Sequence, residues 1–235
     1  MKRSAALIAG VLVSGLALAV AQDNMQAVLQ KANAGDPAAQ VKVGMMYAIG
    51  MGVPRNSQEA IKWLKKAADQ GYADGQYRLG GMYDVGHGVQ QDPATAFKYY
   101  MLAGKQKDVE AEYRLGQMYE QGRGVEKNEA EAAKWYMAAA KPGRAGAQQG
   151  RPEAEYRLGE MYEQGIGVTQ DYATALKWYT KAADQKRPEA QYKMGYMYEN
   201  GYGVPENTTE AIKWYKLASA QGYAYAHQAL IALEK

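Results

Sequence analysis

The stretch Ala111 to Val125 recurs almost residue for residue at Ala154 to Val168. A chain built from such copies stacks one small unit on the next instead of closing around a single central core. Five copies are present. Their mid-segment glycines, Gly44, Gly80, Gly116, Gly159 and Gly195, are spaced 36, 36, 43 and 36, and the Gly-Val pairs at Gly52, Gly88, Gly124, Gly167 and Gly203 keep the same intervals. The register therefore holds everywhere except at one insertion of seven residues.

Within a copy the pattern reads as two helices and a tight turn. Ala111, Leu115, Met118 and Tyr119 fall at i, i+4, i+7 and i+8, as do Ala154, Leu158, Met161 and Tyr162, which puts each set on one buried helical face. The Gly-x-Gly-Val that follows supplies one glycine for a left-handed helix end and a second for a sharp turn. A phosphate-binding loop is disfavoured, because this turn follows a helix, lacks a Lys-Ser/Thr partner and occurs five times. Three residues after each Val stands Asn56, Asp92, Asn128, Asp171 or Asn207, a good N-cap for a second helix. Glu59, Glu131 and Glu210 three residues further on predict a capping box in three copies. Trp63, Tyr99, Trp135, Trp178 and Trp214 share one register position, and their rings are predicted to fill the space between neighbouring units.

The unit Ala-x-x-x-Leu-Gly-x-x-Tyr-x-x-Gly-x-Gly-Val-x-x-Asp/Asn-x-x-x-Ala-x-x-Trp-Tyr-x-x-Ala-Ala resembles the Sel-1-like repeat, a relative of the tetratricopeptide repeat. The second copy departs from it slightly, with Tyr99 for Trp and Met101-Leu102-Ala103-Gly104 for the usual ending, and Leu64 replaces Tyr in the first. The resemblance implies an all-α fold, a right-handed α-solenoid of five helix-turn-helix repeats with partial capping helices at both ends. The expected organisation is a signal peptide at 1–21, a capping helix at 22–35, repeats at 36–72, 73–108, 109–151 with the insertion, 152–187 and 188–223, and a capping helix at 224–235. In that last helix Ile231 stands where full copies keep Gly.

The signal reading rests on Lys2 and Arg3, an apolar run from Ala5 to Val20, and the small-x-small pattern Ala19-Val20-Ala21, with cleavage before Gln22. A periplasmic or secreted location is expected, with no stable membrane insertion after cleavage. Without Lys2 and Arg3 the chain has 26 basic and 25 acidic residues and no run of like charge, which argues against nucleic acid as a partner. There is no Cys, and the two histidines, His87 and His227, are far apart in sequence, so no metal or other cofactor is expected. A β-lactamase-like or penicillin-binding activity, for which secreted members of the family give precedent, lacks a Ser-x-x-Lys and a Ser-His-Asp arrangement here. The chain is read as not an enzyme.

What the resemblance implies instead is binding of another protein or peptide on the concave face or the loop edge, as a scaffold of the bacterial envelope. An immunity protein that neutralises a periplasm-targeted toxin is the alternative. Candidate contacts fall in three rows. The residue before the Leu position of the first helix is always basic: Lys42, Arg78, Arg114, Arg157 and Lys193. This row serves either as a ladder for acidic groups on a partner or as the pairing partner of Asp84, Glu120, Glu163 and Glu199, which stand six residues later on the same helices. The other two rows vary between copies, as recognition residues should. They are the middle residue of Gly-x-Gly, namely Met51, His87, Arg123, Ile166 and Tyr202, and the residue after the first-helix Gly, namely Met45, Gly81, Gln117, Glu160 and Tyr196. The basic insertion at 141–151 is either a contact or a tolerated surface loop.

Overall fold

A computed structural model describes residues 25–141 and 150–233. The proposed signal segment and most of the insertion lie outside them. Among the described residues there are twelve helices and no strand. Helix α1 covers 25–33. It is followed by α2 (Pro37–Ile49), α3 (Ser57–Asp69), α4 (Ala73–Val85), α5 (Pro93–Gly104), α6 (Val109–Gln121), α7 (Glu129–Ala139), α8 (Pro152–Gln164), α9 (Tyr172–Asp184), α10 (Pro188–Asn200), α11 (Thr208–Ala220) and α12 (Ala224–Leu233). The chain divides into two compact units between Ala103 and Gly104.

Each first helix ends because a glycine at its C-terminus takes left-handed backbone, with φ from +68° to +77° at Gly50, Gly86, Gly122, Gly165 and Gly201. Each second helix starts on the predicted cap: Asn56, Asp92, Asn128, Asp171 and Asn207 accept from the amide three residues on. The capping box, however, is only half formed. The amides of Asn56, Asn128 and Asn207 are already taken by the carbonyls of Tyr47, Tyr119 and Tyr198, at 2.8–2.9 Å. Glu59, Glu131 and Glu210 turn instead to Lys62, Lys134 and Lys213. The bond that would have closed the box thus ties the two helices of one repeat together.

In the first unit, α2 pairs with α3, α4 packs on both, and α5 follows. Val43, Leu64 and Leu79 are fully buried, and Tyr100 is 2% exposed. Helix α1 lays Met25 and Ala32 inward, and Val28 and Leu29 pack with Val43 and Trp63. In the second unit, α6/α7, α8/α9 and α10/α11 form three helical hairpins stacked in order, and α12 closes on α11 through Ala226 and Leu230. Ile231 of α12 is exposed.

The deepest aromatic position differs from the expected one. Trp178 and Trp214 do pack on the cluster of the preceding repeat, but both keep an edge in solvent. The residue after the aromatic position lies deeper: Tyr136, Tyr179 and Tyr215 are at most 1% exposed, and Leu64 and Tyr100 take the same place in the first two repeats. The mid-helix glycine exists to admit that ring. A Cβ on Gly116, Gly159 or Gly195 would come within 2.4–2.6 Å of the Tyr136, Tyr179 or Tyr215 ring.

Helices α1, α3, α5, α9 and α11 are each followed by one residue in left-handed backbone. Glycine supplies it at Gly35, Gly71 and Gly222, whereas Lys107 and Lys186 hold φ of +64° with a Cβ present. A non-glycine residue there is strained by about 1–2 kcal/mol. Lys186→Gly and Lys107→Gly are therefore each expected to raise stability by about 1 kcal/mol, read as a higher urea midpoint at unchanged m value.

Candidate protein-binding surface

The first helices of the third and fourth repeats bury their Ala, Leu and Met, and the fifth buries Ala190, Met194 and Met197 in the same places. Another position on each of these helices is braced. The Tyr136, Tyr179 and Tyr215 hydroxyls donate to Glu120, Glu163 and Glu199 at 2.7, 2.5 and 2.5 Å. Burial, and then the Glu163 carboxylate, push the Tyr179 phenol far above the ordinary phenol range, so it stays a donor at every working pH. In the first unit the equivalent Tyr100 hydroxyl reaches Asp84 at 3.5 Å. The first repeat has Leu64 and Ala48 at these two places, so the phenol and the acid are lost together. Tyr179→Phe is expected to cost about 1 kcal/mol, seen in thermal unfolding, because Glu163 then loses its buried donor.

The basic row splits. Arg157 bonds Glu120 of the preceding repeat and Glu160 of its own helix. Lys193 reaches back to Glu163 at 2.8 Å, and the Glu163 side chain is only 14% exposed. Arg114 is exposed and donates to Gln117 at 3.1 Å, and Gln117 donates to the Tyr113 hydroxyl at 3.3 Å. In the first unit Arg78 pairs with Asp74 on its own helix at 2.8 Å, and Lys42 is exposed. Arg157 and Lys193 thus serve the stacking of repeats.

The loop-edge row is less uniform than its sequence register suggests. Met51 is 59% exposed. His87 lies 2.6 Å from an Arg55 guanidinium nitrogen, an arrangement that makes Nε2 the acceptor. Arg123 is half-buried. Ile166 and Tyr202, expected to be exposed apolar residues, are half-buried instead. Ile166 packs on the Ala132–Leu158–Met161 cluster, and Tyr202 stacks on Tyr172 with ring centroids 4.9 Å apart. The reason is close approach: the second turn glycines Gly167 and Gly203 press on the backbone starting the preceding repeat's second helix, at Glu129 and Tyr172. Of the third row, Met45 packs against the first unit's core, while Gln117, Glu160 and Tyr196 lie half-exposed on α6, α8 and α10. Tyr196 meets Tyr202 at 5.7 Å. A cleft of about 460 Å³ opens beside Gln117, lined also by Tyr113, Glu120, Tyr136, Arg157 and Ile166 among others.

One row escaped the sequence reading. Gln40, Gln76, Glu112, Glu155 and Gln191 occupy one register position and are all 3–6% exposed. The glutamines donate to the carbonyls of Ala32, Ala68 and Ala183 near the ends of second helices, at 3.2–3.4 Å. Gln70, Gln185 and Gln221 in turn donate to Gln40, Glu155 and Gln191. The available signal was a position that is polar in every copy and directly follows a small buried residue, Gly75 in the second copy and Ala in the others. Burial raises both Glu112 and Glu155 to about 7.

Among the described residues no cluster of three or more His, Asp or Glu could hold a metal, and no helix is long and apolar enough to cross a membrane. The Sel1 repeat pattern matches residues 37–72, 73–108, 109–141, 152–186 and 188–223, together well over half of the chain. This chain belongs to the Sel1 repeat family. Among solved structures it is similar to c5321, a protective antigen of uropathogenic Escherichia coli strains, with 35% identity and a TM-score of 0.82. That match covers 88% of this chain but 43% of the antigen, so the chain spans less than half of that relative's length. A Sel1 repeat protein from Oxalobacter formigenes is 33% identical with a TM-score of 0.77, over 88% of this chain and 84% of that one. A sel1 repeat protein from Klebsiella pneumoniae subsp. pneumoniae, 22% identical with a TM-score of 0.50 over 90% and 99% of the two chains, shares the fold. A comparison with curated protein sequences gives no match. Sel1 repeats are protein-interaction modules, and the turn, cap and glycine geometry above is how this chain builds them.

Proposed function

We propose that this Sel1 repeat protein is a non-enzymatic scaffold of the bacterial envelope, exported by its N-terminal segment, that grips a partner protein or peptide on the first-helix face of α6, α8 and α10. One observation carries the reading. On that face the repeated residues, Tyr136, Tyr179 and Tyr215 with Glu120, Glu163 and Glu199, are engaged with one another. The residues that differ, Gln117, Glu160 and Tyr196, stand half-exposed on the same three helices, with Gln117 in the wall of the cleft. A surface with constant bracing and variable contacts suits recognition of one partner.

The test is affinity capture from a periplasmic extract with the protein lacking residues 1–21 as bait, beside a Gln117→Lys/Tyr196→Ala variant that keeps its helical circular dichroism. A stoichiometric partner held by the parent and lost by the variant is expected. A partner held equally by both overturns the assignment of the face. Export is tested separately by N-terminal sequencing of the protein recovered from the envelope, with Gln22 expected first.

A further inference from the structure

Along the N-terminal ends of α6, α8 and α10 the second unit carries a chain of alternating charges. Arg151 bonds Glu110 on one side and Glu153, at 3.0 Å, on the other. Arg187 repeats the pattern between Glu153 at 3.5 Å and Glu189 at 3.4 Å. Each guanidinium also lies over a first-helix tyrosine, Arg151 over Tyr113 at 4.3 Å and Arg187 over Tyr156 at 5.0 Å. The unit thus twice builds one recognition element, a tyrosine face with a flanking carboxylate that holds an arginine.

At the next rung the tyrosine and the carboxylate are present but the arginine is not. Tyr192 follows Tyr113 and Tyr156 in register, and Glu189 follows Glu110 and Glu153, but Tyr223 stands where Arg151 and Arg187 stood, and Tyr225 replaces the next acid. Tyr192, Tyr223 and Tyr225 form a triangle of rings with centroids 5.4, 5.7 and 6.2 Å apart. Tyr225 is 63% exposed and the Glu189 side chain 36%. The charge chain itself, Glu110–Arg151–Glu153–Arg187–Glu189, holds three carboxylates against two guanidinium groups and ends on a carboxylate. Burial and then Glu189 push the Tyr223 phenol up.

We infer that the Tyr192–Tyr223–Tyr225 patch with Glu189 is a docking site for an arginine side chain of the partner, which stacks on the exposed Tyr225 ring with Glu189 as its carboxylate. The inference rests on the protein-binding reading of this surface and names the chemistry of one contact. Arginine fits better than lysine, because the two internal examples pair a planar guanidinium stacked on a ring with a carboxylate at its edge.

The test titrates the protein, with ¹³C-labelled tyrosine rings, with tri-arginine, tri-lysine and tri-citrulline peptides. Saturable shifts of the Tyr223 and Tyr225 signals are expected with tri-arginine, about threefold weaker binding with tri-lysine, and none with tri-citrulline. Tyr225→Ala, at an exposed position, and Glu189→Gln should each weaken tri-arginine about fivefold while thermal unfolding stays put. Citrulline binding as tight as arginine, unchanged affinity in Tyr225→Ala, or shifts that never saturate would each overturn the site. None of these results bears on whether Gln117 and Tyr196 hold a partner, so this inference and the broader reading fail separately.

Discussion

At pH 8 the double variant Glu112→Gln/Glu155→Gln is expected to be more stable than the parent by about 3 kcal/mol per site, and at pH 4.5 the two proteins should be nearly equal. Burial lifts both carboxyls from 4.5 to about 7 in the folded chain. Around Glu112, Asp108 adds to the rise, while Lys107 and Lys141 oppose it. Around Glu155, the Gln185 hydrogen bond and Lys181 oppose the rise, and Asp184 adds to it. A folded-state value above the unfolded one means that the folded chain holds the extra proton. Stability is therefore undiminished below pH 4.5, falls as pH rises through 7, and stays reduced above it. Glutamine keeps the shape of the protonated acid and is already the residue at Gln40, Gln76 and Gln191. Urea unfolding of parent and variant from pH 4.5 to 8 checks this, and parallel curves would contradict the buried-carboxyl account.

Gly167→Ala should destabilise the protein by about 3 kcal/mol, against about 1 kcal/mol for Gly52→Ala, although both glycines hold the same place in the motif. Both have left-handed backbone, with φ of +67° and +73°. At Gly52 an added Cβ meets nothing closer than the end of Met46, at 3.7 Å. At Gly167 it would lie 2.3 Å from the Glu129 carbonyl oxygen of the preceding repeat, and rigid backbone cannot yield as a side-chain tip can. The difference between the two variants isolates the stacking contact from the strain of the turn. Equal losses in chemical unfolding would show that the turn sets only its own conformation.

These contrasts mark what the sequence made legible. The glycine-ended first helices and the Asn or Asp caps could be read because each depends on a few neighbouring residues and a backbone preference. Contacts between helices were harder. In the Trp-Tyr pair the larger ring draws attention, yet Tyr136, Tyr179 and Tyr215 go deeper, because only they face the mid-helix glycine across the hairpin. Ile166 and Tyr202 varied between copies and so read as contacts, but the turn that carries them is pressed onto the neighbouring repeat. The buried row from Gln40 to Gln191 was hidden by its polarity, since nothing local announces a helix end waiting for a donor. For the surface, the registers of Gln117, Glu160 and Tyr196 were visible, but the bracing by Tyr–Glu bonds and the cleft beside Gln117 needed three dimensions.

The central claim is that the first-helix face of the second unit meets the partner. Side-chain footprinting of the captured complex, against the free protein, tests it most directly. Protection of Tyr113, Glu160, Tyr196 and Tyr225, with Trp135, Trp178 and Trp214 on the second helices labelled as in the free protein, is the predicted result. Protection of those tryptophans with the first-helix residues unchanged would place the partner on the other side of the repeats and contradict the account.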